Sequence, residues 1–311
     1  MAYRILSLDG GGIRGVFTTE LLSRLEAAAP FLAKVDLFAG TSTGGIIALG
    51  LAAGLTPDEL TDLYLAVGPE IFPESHLGPL ALLGKVVCAP YDNAALKRAL
   101  TVTFGQRNLR TLGDLGRRVL VPTFDLDSSE GPASKPGVQR TWKPKFFHNF
   151  PGPGSDAAEE IVDVALRTSA APTYFPTYQG FVDGGVIANN PSMVALAQAL
   201  HPATGGQKLE DVSLLSVGTG DRLRFIPGPT HDWGYAQWAV PLSRLIVEGP
   251  MDTARYECEQ LLGERFCRLD AVLEREIDMD DATAEPDLVE MAKRIREPMD
   301  AAIAWVQRWF T

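Results

Sequence analysis

Val35-Asp36-Leu37-Phe38-Ala39-Gly40-Thr41-Ser42-Thr43-Gly44 joins a short apolar run to a G-x-S-x-G sequence, and the stretch that follows, Gly44 to Gly54, has no polar face. The run Val35 to Ala39 predicts a buried strand. A segment apolar all round predicts a helix buried on every side. A strand that turns sharply into such a helix holds a serine hydroxyl clear of the sheet's C-terminal edge, and it needs glycines beside the serine because a Cβ there would strike neighbouring backbone. The turn also puts Ser42 at a helix N-terminus, where the dipole and free N–H groups favour developing negative charge. Ser42 is therefore the expected nucleophile, with Gly40 and Gly44 as its supporting glycines.

The same alternation extends in both directions. Tyr3 to Leu8 reads as a strand and Val16 to Ala28 as a helix, with Val16, Leu21, Leu22 and Leu25 at helical spacing. Thr56-Pro57-Asp58-Glu59 is a helix start, with Thr56 as N-cap and acids in the first turn. Further strands are expected at Val119 to Phe124 and Val212 to Val217, and Phe181-Val182 ends another. Helices are expected at about 92–102, 157–168 and 191–200, so strands and helices alternate as in an α/β protein with a largely parallel sheet covered on both faces. Ser128 to Pro144 reads as a surface loop or hairpin, and helical tracts at about 234–262 and 287–309 end the chain. A length of 311 residues fits one domain. Its motifs fall within about 3–220 and a helical part covers about 230–311.

Composition narrows the function classes. With 46% hydrophobic and 22% charged residues the chain is a folded globule rather than a disordered one. The opening MAYRILSLDGGG has neither a basic n-region nor an apolar h-region, and no run reaches the roughly 18 apolar residues of a membrane span, so a cytoplasmic location is expected. Cys88, Cys258 and Cys267 form no C-x-x-C or Cys/His cluster and read as buried thiols. A net charge of -11 argues against a nucleic-acid polymer as partner and gives no attraction to anionic membrane. Glu274 to Asp287, seven acids against Arg275, lacks the calcium-loop pattern and reads as a solvated loop. Neither a metal nor a cofactor is expected. Leu77 to Cys88, with Leu77, Leu80, Leu82, Leu83, Val86 and Val87 around Gly78, Pro79 and Gly84, is either an apolar docking or lid segment or part of the core.

Gly10-Gly11-Gly12-Ile13-Arg14-Gly15 lies between the first strand and the first helix. Gly10, Gly12 and Gly15 match G-x-G-x-x-G, so a nucleotide-binding module is one reading; it needs an acid ending the second strand, whereas Asp36 opens that strand. The other reading is an oxyanion hole, in which backbone N–H groups of Gly10, Gly11 and Gly12 face the oxygen of a tetrahedral intermediate. A serine nucleophile needs a base. The chain has four histidines, His76, His148, His201 and His231, and a Ser-Asp-His triad would draw on His201 or His231, both in surface-like contexts. Asp183, in Phe181-Val182-Asp183-Gly184-Gly185, stands where a strand breaks into a glycine turn, and a Ser42–Asp183 pair fits the inventory better.

Asp9 to Gly15, Gly40 to Gly44 and Asp183-Gly184-Gly185, in that order, resemble the glycine loop, nucleophile elbow and Asp-Gly-Gly turn of the patatin-like phospholipase family. Similarity continues through Thr168 to Pro176 and Asn189-Asn190-Pro191, and covers about residues 3–220. The resemblance implies a three-layer α/β/α sandwich and a Ser-Asp dyad without histidine. It implies metal-independent cleavage of acyl esters in phospholipids or related lipids, at peripheral membrane contact. Arg14 is then either an aid to a substrate phosphate or a salt bridge on the first helix, and Asn189 and Asn190 are expected to satisfy the Asp183 turn. Some bacterial members are switched on by cyclic nucleotides, so such an activator is an expectation, although no residue marks a site for it.

Overall fold

The structure, a computed structural model, describes residues 2–73, 89–128, 140–152, 154–221, 225–226, 228 and 230–310. Leu77 to Cys88, the candidate docking or lid segment, lies outside the described residues. Among the described residues seven strands form one sheet: β1 (Tyr3–Leu8), β2 (Leu37–Gly40), β3 (Arg118–Asp125), β4 (Lys143–His148), β5 (Phe181–Asp183), β6 (Val212–Val217) and β7 (Phe266–Leu269). The spatial order is β4-β3-β2-β1-β6-β7, with β5 also on β3. The pairs β1–β2, β1–β6, β2–β3 and β6–β7 are parallel, and β4 and β5 run antiparallel to β3.

The described α-helices are α1 (Gly15–Ala28), α2 (Thr43–Ala52), α3 (Pro57–Ile71), α4 (Ala94–Gly105), α5 (Ile161–Thr168), α6 (Gly185–Ala188), α7 (Ser192–Leu200), α8 (Tyr235–Leu262), α9 (Glu285–Arg294) and α10 (Glu297–Trp309). Alternate strand residues serve two different layers. Leu6, Leu8, Phe38, Val119 and Val121 pack with α1, α2, α5, α9 and α10, whereas Ile5, Leu37, Ala39, Leu120 and Leu214 pack with α7 and the end of α8. Strands buried on both faces carry runs of apolar residues instead of alternation, which is how these strands are recognised in the sequence. Thr56 caps α3 by a full capping box with Glu59.

Two strands go beyond the sequence expectation. β4 takes up the end of the Ser128–Pro144 stretch read as loop or hairpin, and its outer residues are exposed because it is an edge strand. β7 lies inside the part read as helical; four residues, one of them Arg268, are too few for a periodic signal. The acidic run is also not simply solvated: Ile277 and Glu285 are buried. Burial pushes the Glu285 carboxyl up to about 7. Cys258 is buried and Cys267 half-buried.

Candidate active site

Sheet topology brings Ser42 and Asp183 together. β2 pairs with β3 as far as Ala39 opposite Leu120, then leaves the sheet into the turn before α2. β3 continues, and β5 takes the vacated side of it in the opposite direction, ending with Asp183 opposite Thr123. The two strands thus meet end to end along β3. Across their junction the Ser42 Oγ donates to Asp183 Oδ2 at 2.7 Å.

Each residue is held by its own turn. Ser42 has φ 55°, a left-handed conformation that costs a non-glycine residue about 1–2 kcal/mol. The fold over-determines it. The Ser42 N–H donates to Thr168 Oγ1 at 3.0 Å, and the Thr168 hydroxyl donates to the Pro122 carbonyl at 2.6 Å, so the elbow is tied to β3. Gly40 and Gly44 permit it, since a Cβ on Gly40 would stand 2.0 Å from the Gly44 carbonyl oxygen and one on Gly44 would stand 2.3 Å from that of Leu8. Gly184 packs on the Pro122 carbonyl, and the Gly185 N–H donates to Asp183 Oδ1 at 2.6 Å. Burial drives the Asp183 carboxyl up to about 6, against the Ser42 hydroxyl and the Gly185 N–H, which favour its ionised form. It is therefore a carboxylate near neutral pH, held close to the pH at which it takes a proton.

The glycine loop faces this pair, but its three glycines are not equivalent. The Gly10 N–H is already donated to the Asn189 carbonyl at 3.0 Å, so Gly10 is not a donor to the cavity as the sequence suggested. Gly11 and Gly12 line the cavity beside Ser42. Gly15 opens α1 against Thr43. Arg14 is buried and lines the cavity next to the glycine loop. Its Nη1 donates to the Gly220 carbonyl at 3.0 Å and its Nε to the Gly11 carbonyl at 3.4 Å. Asn189 braces the glycine loop instead of the Asp183 turn, with Nδ2 donating to the Gly10 carbonyl at 3.3 Å, while Asn190 Oδ1 accepts from the Ser192 N–H. Asp9, just before the loop, is buried against Arg268 at 2.6 Å; burial raises it to about 6 in spite of that guanidinium.

Ser42, Asp183, Gly11 and Gly12 share one cavity of about 590 Å³ whose other walls include Leu63, Val67, Ile71, Phe72 and Leu96. A few polar groups at one end of an apolar cavity suit a ligand with a reactive polar group and a long apolar tail. Met279 and Asp278, from the acidic run, close the cavity over Gly12, where the Met279 carbonyl accepts the Ile13 N–H. Among the described histidines, His148, His201 and His231 do not line this cavity. His201 Nδ1 accepts the Ala203 N–H, and His231 bonds the Ile226 carbonyl. Asp36 is bound to the Arg4 N–H at the opposite end of β1 from the glycine loop, which leaves the nucleotide-binding reading without its acid. Thr168, Thr219 and Arg268 were not singled out in the sequence as site residues; the signal for Thr219 is a Gly-Thr-Gly turn directly after a core strand.

Comparison with known proteins points to one family. The family described as Patatin-like phospholipase matches residues 6–196. A "cGAMP-activated phospholipase" of Pseudomonas aeruginosa (strain BWHPSA011 / Pa011) is 34% identical, covering 86% of this chain and 78% of its own. The "cGAMP-activated phospholipase" of Escherichia coli (strain TW11681) is 37% identical over 76% of this chain and 70% of its own. "Protein teg" of Priestia megaterium is 32% identical and matches 94% of each chain.

Proposed function

This chain belongs to the patatin-like phospholipase family, and from that premise we propose that it is a serine lipid acyl hydrolase of phospholipase A or lysophospholipase type, acting as one domain over residues 1–311. The observation that carries the proposal is the 2.7 Å hydrogen bond from Ser42 to a carboxylate inside an apolar cavity. As Ser42 Oγ forms its bond to the ester carbonyl carbon, Asp183 Oδ2 accepts the hydroxyl proton. The carbonyl oxygen becomes an oxyanion, and the N–H groups of Gly11 and Gly12 are its donors. When the tetrahedral intermediate collapses, the Asp183 carboxyl gives its proton to the departing alcohol oxygen and the acyl group stays on Ser42. Water then attacks the acyl-enzyme with Asp183 again as base, and Ser42 is restored as the fatty acid leaves. The apolar wall made by Leu63, Val67, Ile71, Phe72 and Leu96 takes the acyl chain.

The substrate is an acyl lipid, met at a membrane surface from the cytoplasmic side. The contact proposed is peripheral, and no helix among the described residues is long and apolar enough to cross a membrane. The surface we assign to it is the first part of α8. Leu242, Leu245 and Ile246 follow one helical stripe and are 47%, 47% and 51% exposed, and Ile246 also lines the cavity, which puts the stripe at its rim. Between Tyr235 and Val247 the only charge is Arg244, in a chain of net charge -11. An acid-free apolar stripe beside the nucleophile fits a phospholipid bilayer. The names of the two cGAMP-activated relatives support a cyclic-nucleotide activator for this chain as well.

A fluorophosphonate probe tests the reaction class. The wild type is expected to be labelled at Ser42 and Ser42→Ala to be unlabelled and inactive on esters. Labelling that persists in Ser42→Ala, or hydrolysis by it, refutes the assignment.

A further inference from the structure

An amide group is planar, with its N–H and C=O pointing in opposite directions. The N–H of Gly11 can face an oxyanion only while the carbonyl of Gly10, on the same peptide plane, is turned away from it. Whatever binds that carbonyl sets the direction of the donor.

Two groups bind it. Thr219 Oγ1 donates to the Gly10 carbonyl at 3.3 Å, and Asn189 Nδ2 donates to it at the same distance. The next plane is held in the same manner, with the Gly11 carbonyl accepting from the Arg14 N–H at 3.3 Å and from Arg14 Nε at 3.4 Å. Thr219 is fixed in place by its surroundings. It is buried, and its side chain lies flat on Gly11, where a Cβ would stand 2.3 Å from the Thr219 Oγ1. Its neighbours are anchored: the Gly218 N–H donates to the Leu269 carbonyl at 2.9 Å, the Gly218 carbonyl accepts from Thr18 Oγ1 at 2.8 Å, and the Gly220 N–H donates to Asp270 Oδ1 at 3.0 Å. Asn189, by contrast, shares its amide with the Met251 Sδ at 3.0 Å.

We propose that Thr219 is a positioning residue for hydrolysis: by donating to the Gly10 carbonyl, its hydroxyl turns the Gly10–Gly11 peptide so that the Gly11 N–H faces the oxyanion formed on Ser42. The inference rests on the assignment of Ser42 and the glycine loop made above. It places part of the machinery at the end of β6, beyond residues 6–196 that match the family.

Thr219→Val keeps the shape and removes the hydroxyl, and Thr219→Ser keeps the hydroxyl and removes the methyl. Both are compared with wild type on a soluble p-nitrophenyl ester. Binding of a trifluoromethyl ketone, which forms an oxyanion on Ser42, is measured beside binding of the matching ether, which cannot. A lost oxyanion donor is worth about 10²- to 10³-fold in turnover, and Asn189 still holds the carbonyl, so Thr219→Val is expected to lose roughly tenfold in kcat. KM stays within about twofold, ketone binding weakens by the factor lost in kcat, ether binding is unchanged and Thr219→Ser stays near wild type. Wild-type kcat in Thr219→Val overturns the proposal. So does equal impairment of the Val and Ser variants, which would assign the residue to packing alone. Should Thr219→Val not fold, Thr219→Ala against Thr219→Ser gives the same contrast. If the wild type itself neither cleaves the ester nor binds the ketone, the underlying reading of Ser42 fails and the proposal falls with it.

Discussion

Asp183→Asn separates catalysis from stability at one atom. The substitution keeps the side chain's shape, and its remaining carbonyl oxygen can still accept the Gly185 N–H that now reaches Oδ1 at 2.6 Å. The group facing Ser42 Oγ becomes an amide N–H₂, which donates where the carboxylate accepted, so the serine loses its base. Turnover should fall by several orders of magnitude. Stability should move the other way. A carboxyl that titrates near 6 in the folded chain, against 3.8 for the free group, is harder to ionise when buried. At pH values above 6 both folded and unfolded chains carry the charge, and its burial costs about 3 kcal/mol. As pH falls from 6 to 3.8 the folded state takes up the proton first and the cost shrinks, reaching zero below 3.8. The substituted amide has no charge to bury. The variant should therefore be more stable than wild type by up to about 3 kcal/mol at pH 8, with the difference vanishing toward pH 4. Urea unfolding at a series of pH values reads the difference, with ester hydrolysis beside it. Turnover near wild type refutes the dyad. Loss of activity with a variant less stable at pH 8 than wild type refutes the account of Asp183 as a carboxylate ionised against the preference of its surroundings.

Two further outcomes follow from the same geometry. For wild type, kcat/KM on a neutral soluble ester should hold at pH 7 and fall as pH drops through about 6, because the base must be ionised to accept the Ser42 proton; a flat profile from pH 7 to 5 contradicts that role. In the double variant Leu242→Asp, Leu245→Asp, the apolar area still exposed on each leucine is worth about 1 kcal/mol on membrane entry, so vesicle hydrolysis should fall roughly thirtyfold while soluble-ester cleavage and melting temperature hold. Equal loss on vesicles and soluble ester would remove α8 as the docking surface.

Local chemistry made much of this protein legible in its sequence. A strand and a buried helix show as apolar runs of different length. The turn between them shows as glycines around a serine, because a Cβ at Gly40 or Gly44 has no room. Asp183 was visible for a similar reason, as an acid where a strand breaks into Gly184-Gly185. Those features depend on neighbours a few residues away, so the sequence by itself determined the α/β class and marked Ser42 and Asp183 as candidates. Other features depend on contacts between distant segments, and only the tertiary structure decided them. That Gly10 spends its N–H on Asn189 while Gly11 and Gly12 face the cavity depends on two residues 179 positions apart. That Arg14 donates to the Gly220 carbonyl depends on the Gly218–Gly220 turn being placed beside it, 206 positions along the chain. Arg268 on β7 and Met279 in the acidic run carry no local mark of the site. They reach it because β7 pairs with β6 and the chain beyond it crosses over the glycine loop, and pairing between strands is a property of the folded sheet that no short stretch of residues contains.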